Sequence, residues 1–294
     1  MFLQQIINGL VLGCIYGLCA LGFTMIFGVI KLINIAQIDM AMIGAFSGIF
    51  IVRLFSYLGI NNSIINILFC FLIGIISAGI IGLIIERFAF RPLRSSPPIM
   101  GLITSLGISL ILENSSMIFF GTDVKVFPHI FPDTAFNLGD VRITLLQIFI
   151  IVISLSYMFL LYLFVNKTKI GVAMRATSEN YKVSLLMGID PNKTISLTFF
   201  IASGLGASAG LLIAMYYGVA RYDMGLLPGI KGFSGAILGG IGSIQGGILG
   251  GFIIGLVESL CGGYISTTFK DIFAFIVLIL ILVLKPSGLL GKTK

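Results

Sequence analysis

The chain has 294 residues, of which 58% are hydrophobic and only 10% are charged, and its mean hydropathy is +1.14. Soluble domains carry roughly 25% charged residues, so this composition excludes a water-soluble fold. Four cysteines are too few for a disulfide-rich secreted scaffold, and 25 phenylalanines exclude a disordered chain. The basic residues behind the net charge of +7 lie in short stretches between apolar runs, which predicts membrane topology and excludes nucleic-acid binding.

Eight hydrophobic segments approach the length of about 20 residues with which a helix crosses a bilayer. In chain order they are residues 6–30, 39–57, 64–85, 98–120, 143–165, 194–216, 232–257 and 265–284. Only short polar stretches separate them. Residues 1–294 are therefore predicted to form one transmembrane domain with an all-α polytopic fold.

Loop charges orient these segments, because cytoplasmic loops carry an excess of Lys and Arg. Basic residues exceed acidic ones in 86–94, in 166–193 and in the tail from Lys285, so these parts are predicted to lie inside. Residues 121–142 are net acidic, contain the only histidine, His129, and are predicted to lie outside. This pattern places the N-terminus outside and the C-terminus inside.

The seventh segment, residues 232–257, is rich in glycine and is predicted to be interrupted. If all eight segments crossed, the basic tail would lie outside. The conflict disappears if residues 232–257 enter the membrane and return on the same side. The run Gly239-Gly240-Ile241-Gly242-Ser243 supplies a place where the helix can break. The alternative is an ordinary span whose small residues let neighbouring helices approach closely.

Ionisable residues near the membrane are costly, and each marks a candidate functional position. Those singled out are Asp39, Arg53, Glu113 and Glu258. They form no series of buried acids and histidines that could relay protons, which disfavours the proton-driven members of a second class, the ion- or proton-coupled secondary transporters or channels for a small polar solute. That class is kept as the alternative function. The sequence contains no catalytic, metal-binding or cofactor-binding constellation, so neither an enzyme nor a cofactor is predicted.

The predicted cytoplasmic loop 166–193 is the most informative polar stretch. Residues 173–187 predict one short amphipathic helix that ends at Gly188 and that Pro191 does not continue. Its polar face would carry three charged residues, Arg175, Glu179 and Lys182. A helix at the cytoplasmic surface between two spans suits docking into a groove on a soluble partner. The alternative is an interfacial helix that has no partner.

Four motifs, taken in order, resemble those of one family of membrane proteins. They are Ile33-Asn34-Ile35-Ala36 with Asp39; Gly171, Arg175-Ala176, Asn180 and Gly188-Ile189; Gly239-Gly240-Ile241-Gly242-Ser243 with Gly250-Gly251; and Pro286, Gly288-Leu289 and Gly291. Over nearly its whole length the chain thus resembles the permease subunits of branched-chain amino acid ABC importers, the LivH type. It departs from the family pattern at Gln37-Ile38, where His-Gly is usual, at Ser184 and at Gln245.

The resemblance implies a multi-pass protein of the bacterial plasma (inner) membrane that forms a translocation path for amino acids, branched-chain ones in particular. It also implies four kinds of partner: a second homologous permease subunit, two cytoplasmic ATPase subunits, an extracytoplasmic substrate-binding protein and the lipid bilayer. The residues expected to couple the chain to the ATPases are Gly171, Arg175, Ala176, Glu179, Asn180 and Gly188. Those expected along the substrate pathway are Asn34, Gln37, Asp39, Gly242 and Ser243.

Overall fold

The structure, a computed structural model, describes residues 2–60, 62–128, 130–132, 134–138 and 141–291. Within these ranges the chain is almost entirely helical. Some residues of the loop 121–142 and of the basic tail lie outside the described residues. They are His129 and four of the charged residues that orient the loop and the tail, namely Asp133, Asp140, Lys292 and Lys294.

The described part contains eleven α-helices. In chain order, α1 to α11 are Phe2–Ile30, Met40–Tyr57, Ser63–Ile85, Pro98–Phe120, Leu145–Lys167, Lys169–Glu179, Tyr181–Leu186, Pro191–Tyr217, Leu226–Gly239, Ile244–Tyr264 and Lys270–Leu284. Short helical turns join some of them: 3₁₀ turns at Ile35–Gln37 and Pro92–Ser95, and a π turn at Glu86–Phe90 that continues α3. Two short antiparallel strand pairs, which the sequence did not predict, complete the fold. The first joins β1, Lys125–Val126, to β4, Val219–Ala220, and the second joins β2, Ala135–Leu138, to β3, Val141–Thr144.

Seven helical segments in the described ranges are long and apolar enough to cross a membrane. They comprise α1 to α5, α8 and α10, with α2 extended by the preceding 3₁₀ turn and α3 by its π turn. The predicted all-α polytopic membrane fold is therefore confirmed. The eighth predicted segment, residues 265–284, corresponds to α11, which begins only at Lys270 and has 15 residues.

The helix α1 forms the centre of the bundle and contacts α8, α9 and α10. Its most apolar stretch is 89% buried, whereas that of α4 is only 11% buried. Glycines make the close contacts possible: Gly255 of α10 packs on the backbone of α1 at Gly13, and Gly251 packs at Gly17. Because lipid supplies no hydrophobic force between helices, such close van der Waals packing is what holds the centre together.

The glycine-rich segment is interrupted where the sequence predicted it. Helix α9 ends at Gly239, and α10 begins at Ile244 after two glycines with positive φ, Gly240 at 105° and Gly242 at 95°. Ser243 caps α10, since its side chain accepts a hydrogen bond from the Gly246 amide at 3.2 Å. The predicted bounds 232 and 257 were wrong, because both positions lie inside helices and α10 alone is long enough to cross.

The predicted cytoplasmic loop, residues 166–193, contains two helices where the sequence predicted one over residues 173–187. Asn180 separates them: its backbone is extended, and its side chain accepts hydrogen bonds from the amides of Lys182 and Val183 at 3.0 and 3.1 Å. An asparagine that caps a new helix competes with continuation of the old one. Arg175 and Lys182 therefore lie on different helices, and the single polar face predicted for them with Glu179 is wrong.

Candidate functional site

The predicted pathway residues Asn34, Gln37 and Asp39 lie where the chain is irregular between α1 and α2. All three are buried. Gln37 lies between Gly22 of α1 and Gly206 of α8, and its Nε2 donates a hydrogen bond of 2.6 Å to the carbonyl of Ala202. The turn is thus inserted among the spans, where irregular backbone is tolerated only when protein or a wet cavity surrounds it.

Each of these three side chains has an oxygen with spare capacity. Within the described residues, Oδ1 of Asn34, Oε1 of Gln37 and Oδ2 of Asp39 accept no hydrogen bond although they are buried. Buried oxygens without donors are costly. The carboxylate of Asp39 also faces α4 near Ser109 and Glu113, which gives Glu113 a place in the same region. The three acceptors lie within six residues of one another in the chain.

The other two predicted pathway residues, Gly242 and Ser243, have different neighbours. They form the turn between α9 and α10, and Gly242 packs against Gly28 near the C-terminal end of α1. Gly242 and Arg175 line one small cavity of about 100 Å³. The structure thereby brings a predicted pathway residue together with a predicted coupling residue.

The predicted coupling residues lie in α6, between α6 and α7, and just after α7. Gly171 packs against the carbonyl of Val165 at the end of α5, leaving no room for a side chain. Arg175 donates a hydrogen bond to the same carbonyl. Ala176 is half-buried in α6, and Glu179, the last residue of that helix, is exposed.

The second half of the loop is exposed and apolar. Gly188, with φ of 79°, follows α7, so a helix ends just before this glycine as predicted. Five exposed side chains of residues 181–187 define what we call the α7 patch: Tyr181, Val183, Leu185, Leu186 and Met187. Leu186 is 86% exposed and Met187 is 76% exposed. Single exposed apolar residues are ordinary in proteins, but five within seven residues make this segment a candidate for contact with a partner protein or with the membrane.

A larger cavity of about 670 Å³ lies among α1, α8, α9, α10 and α11. Its wall includes an ion cluster. The Lys231 ammonium lies 2.8 Å from Oε2 of Glu258 and 2.7 Å from Oδ1 of Asp271, and the Lys270 ammonium lies 3.1 Å from Oε1 of Glu258. The Tyr16 hydroxyl donates a 2.8 Å hydrogen bond to Glu258.

Comparison of the sequence with known proteins shows the family of this chain. The model of the family described as the permease component of branched-chain amino acid transport systems matches residues 5–282. The chain belongs to this family. The permease protein BraD of a high-affinity branched-chain amino acid transport system in Pseudomonas aeruginosa is 38% identical over 295 residues, which cover 99% of this permease and 96% of BraD.

Two further relatives extend the comparison. LivH of Escherichia coli K12, a permease protein of the same kind of system, is 36% identical over 99% of the chain and 96% of its own length. The probable LivH of Methanocaldococcus jannaschii is 30% identical over 93% of the chain and 88% of its own length. No solved structure matches the permease. The predicted family and the predicted multi-pass location in the bacterial inner membrane are confirmed.

Most of the permease's ion cluster was missed in the sequence. Glu258 was singled out, but Lys231 precedes the predicted seventh segment by one position, and Lys270 and Asp271 fall inside the eighth. The available signal was a lysine within the apolar stretch Leu226–Gly239, because such a cation requires a buried acid as partner. Which acid it pairs with depends on helix packing that the sequence does not reveal.

Proposed function

We propose that this permease is the membrane-spanning subunit of an ABC importer and forms part of the translocation path for branched-chain amino acids. Its partners are a second homologous permease subunit, two cytoplasmic ATPase subunits and an extracytoplasmic substrate-binding protein. The permease itself is not an enzyme: ATP hydrolysis takes place on the ATPases. The family match and the relatives' names support the substrate class.

The α7 patch is the observation that carries this proposal. Four of its five side chains are exposed on the six-residue helix α7, which follows the anchored helix α6, and the fifth, Met187, comes directly after α7. Beside it, a cavity of about 690 Å³ is lined by four basic residues, Lys31, Arg91, Arg94 and Lys182. The α7 patch beside a basic cavity suits a soluble partner that has an apolar groove with an acidic rim. We assign that partner as the ATPase.

The loop is built to transmit force into the bundle. Helix α6 packs against α1, α5 and α8, and Gly171 and Arg175 attach it to the carbonyl of Val165. Motion applied at α7 therefore reaches three spans through rigid contacts. These spans include α8, which holds Gln37 through the carbonyl of Ala202. Rocking of packed helices by this route would open the polar path alternately to each side.

The path itself is assigned to Asn34, Gln37 and Asp39, with Gly242 and Ser243 at the turn beside the coupling loop. The spare oxygens of the first three support this, because they can accept hydrogen bonds from a passing ammonium group or from water. The small cavity that Gly242 shares with Arg175 connects path and loop.

Uptake into proteoliposomes tests the proposed function directly. The complete assembly should accumulate radiolabelled leucine only with external binding protein and hydrolysable ATP on the ATPase side. Omitting ATP, or replacing it with a non-hydrolysable analogue, should abolish uptake. Leucine uptake by this chain alone, driven by a proton or sodium gradient, would contradict the proposal and favour the secondary transporter.

Placing a charge in the α7 patch is expected to detach the ATPase. We expect Leu186→Asp to reduce ATPase copurification by at least about tenfold. Loss of a side chain that anchors an interface weakens binding by more than roughly 1.4 kcal/mol, which is a factor of about ten in affinity. Leu186 is exposed, so the permease should still fold. Val126→Asp, which adds the same charge to an exposed position on β1, is the matched control and should leave copurification unchanged. Full copurification of Leu186→Asp would show that the patch contacts lipid alone.

A further inference from the structure

The cavity of about 670 Å³ beside the ion cluster has the size of a small-molecule site. It is bounded by α1, the end of α8, the start of α9, Glu258 of α10 and the start of α11. Its rim carries an exposed ion pair between Arg221 and Asp223. By the predicted orientation this rim faces the outside, since α8 begins at the cytoplasmic loop and ends at Tyr217 beside the cavity.

The charged wall of this cavity contains equal numbers of both signs. Lys231 and Lys270 contribute two cations, and Glu258 and Asp271 contribute two anions. The side chains of Lys231 and Glu258 are only 5% and 1% exposed, whereas those of Lys270 and Asp271 are 35% and 33% exposed. The inner pair thus holds the outer pair in place, and the outer pair presents one cation and one anion to the cavity.

The outer pair is open to the cavity on one side. Lys270 and Asp271 both line the cavity, and their side chains remain 35% and 33% exposed although each is paired with a charge of the inner pair. A buried ion array that served packing alone would be replaced at little or no cost by apolar side chains. Charged residues inside membrane proteins are instead typical of ligand and ion pathways.

The lining of the cavity also has an apolar part, which we call the Leu12–Ile213 wall. It includes Leu12 and Ile15 of α1, Ile213 of α8 and Met224. A ligand that fills this cavity must therefore carry an aliphatic group as well as charges. A free cation or anion would leave an uncompensated charge in a low-dielectric cavity, whereas a zwitterion adds none.

We propose that this cavity binds the zwitterion of an aliphatic amino acid on its way into the membrane. The substrate carboxylate binds the ammonium of Lys270, the substrate ammonium binds the carboxylate of Asp271, and the aliphatic side chain lies on the Leu12–Ile213 wall. Lys231, Glu258 and Tyr16 are positioning residues that hold the outer pair. This inference rests on the proposed transport of amino acids, and it names where the permease itself recognises them.

Ligand protection of a cysteine reporter tests the site without ATP. Leu227→Cys, at the cavity rim, is introduced into the full chain in nanodiscs, with the partly exposed Cys261 replaced by serine. L-leucine should slow maleimide labelling of the reporter. Neither 3-methylbutylamine, which lacks the carboxylate, nor 4-methylpentanoate, which lacks the ammonium, should protect at the same concentration. Each should require about tenfold more or beyond, since a charge-assisted hydrogen bond contributes roughly 1.5–3 kcal/mol.

Variants of the outer pair complete the test. Asp271→Asn and Lys270→Gln should each raise the half-protecting leucine concentration by about tenfold or more. Asp123→Asn, which removes the same charge at an exposed position outside the lining of the cavity, is the matched control and should leave protection unchanged.

Three outcomes would overturn the site: no protection by leucine, equal protection by either analogue, or full protection in Asp271→Asn. If leucine fails to protect while ATP-dependent uptake persists, the site is wrong and the proposed function stands. If uptake proves independent of ATP, the proposed function fails on a separate measurement. Because the analogue series uses an unaltered cluster, misfolding of a variant cannot decide the result.

Discussion

Replacing Lys231 with methionine is expected to destabilise the folded permease by about 3–5 kcal/mol, the cost of removing one partner of a buried ion pair. Lys231 binds Glu258 and Asp271 at the same time. Without its ammonium, these two carboxylates would repel each other, and Lys270 would be the only cation left in the cluster. Its aliphatic stem is also buried against Tyr16, whose ring centroid lies 5.4 Å from the ammonium, so methionine keeps the volume and removes the charge.

The loss should be largely reversed by removing one negative charge as well. The double variant Lys231→Met/Glu258→Gln leaves one cation, Lys270, and one anion, Asp271, so the cluster is again neutral. Unfolding of the purified permease in mixed detergent micelles would measure each free energy. Lys193→Met is the control: that lysine is exposed and its ion pair should contribute less than about 1 kcal/mol. If Lys231→Met lowered the free energy of unfolding as little as Lys193→Met does, the ion cluster would not stabilise the fold and Lys231 would not position Asp271.

The spans could be predicted from the sequence because bilayer thickness fixes the length of an apolar run. Glycine costs a helix roughly 1 kcal/mol relative to alanine, and the three glycines at positions 239, 240 and 242 predicted a break at the right place. The extent of the two halves could not be predicted. Helix α9 begins at Leu226, and α10 ends at Tyr264, because packing against α1 and α11 decides where each helix stops.

In the predicted cytoplasmic loop, residues 166–193, the prediction from hydrophobic periodicity was wrong. Residues 173–187 have the periodicity of one helix, but Asn180 caps a second helix through its own side chain. Periodicity predicts that the helix continues at Asn180, whereas capping predicts that a new helix begins there. The sequence alone does not decide between the two. The end of the loop was predictable, because a glycine followed by proline leaves few alternatives.

The ion cluster could not be assembled from the sequence. Tyr16 and Glu258, which share a hydrogen bond, are 242 positions apart. Lys231 reaches Glu258 only because α9 and α10 turn back on each other at Gly240–Ser243 and both pack against α1. A charged residue in an apolar stretch can be flagged, but its partner follows from tertiary contacts.

Replacing Gly210 with leucine is expected to prevent α8 from packing on α2, and so to abolish transport. A Cβ at Gly210 would overlap the carbonyl group and Cα of Ala41. The obstruction is backbone and not a flexible side chain, so the helices must separate. Overpacking of this kind costs typically 1–3 kcal/mol for small additions and more when backbone must move. We expect little monodisperse protein from Gly210→Leu, and reduced stability with residual folding from Gly210→Ala.

The reason for a functional effect is the position of this contact. Ala41 is the second residue of α2, directly after the irregular segment that carries Gln37 and Asp39, and Gly206, one helical turn before Gly210, packs on Gln37. Separating the helices there would displace the three spare oxygens assigned to the path. Size-exclusion profiles and leucine uptake per folded molecule would measure both effects. Gly107→Leu is the matched control, since a Cβ there meets no atom within 4 Å. Wild-type uptake by Gly210→Leu would show that α2 and α8 need not pack closely and would remove the path assignment with them.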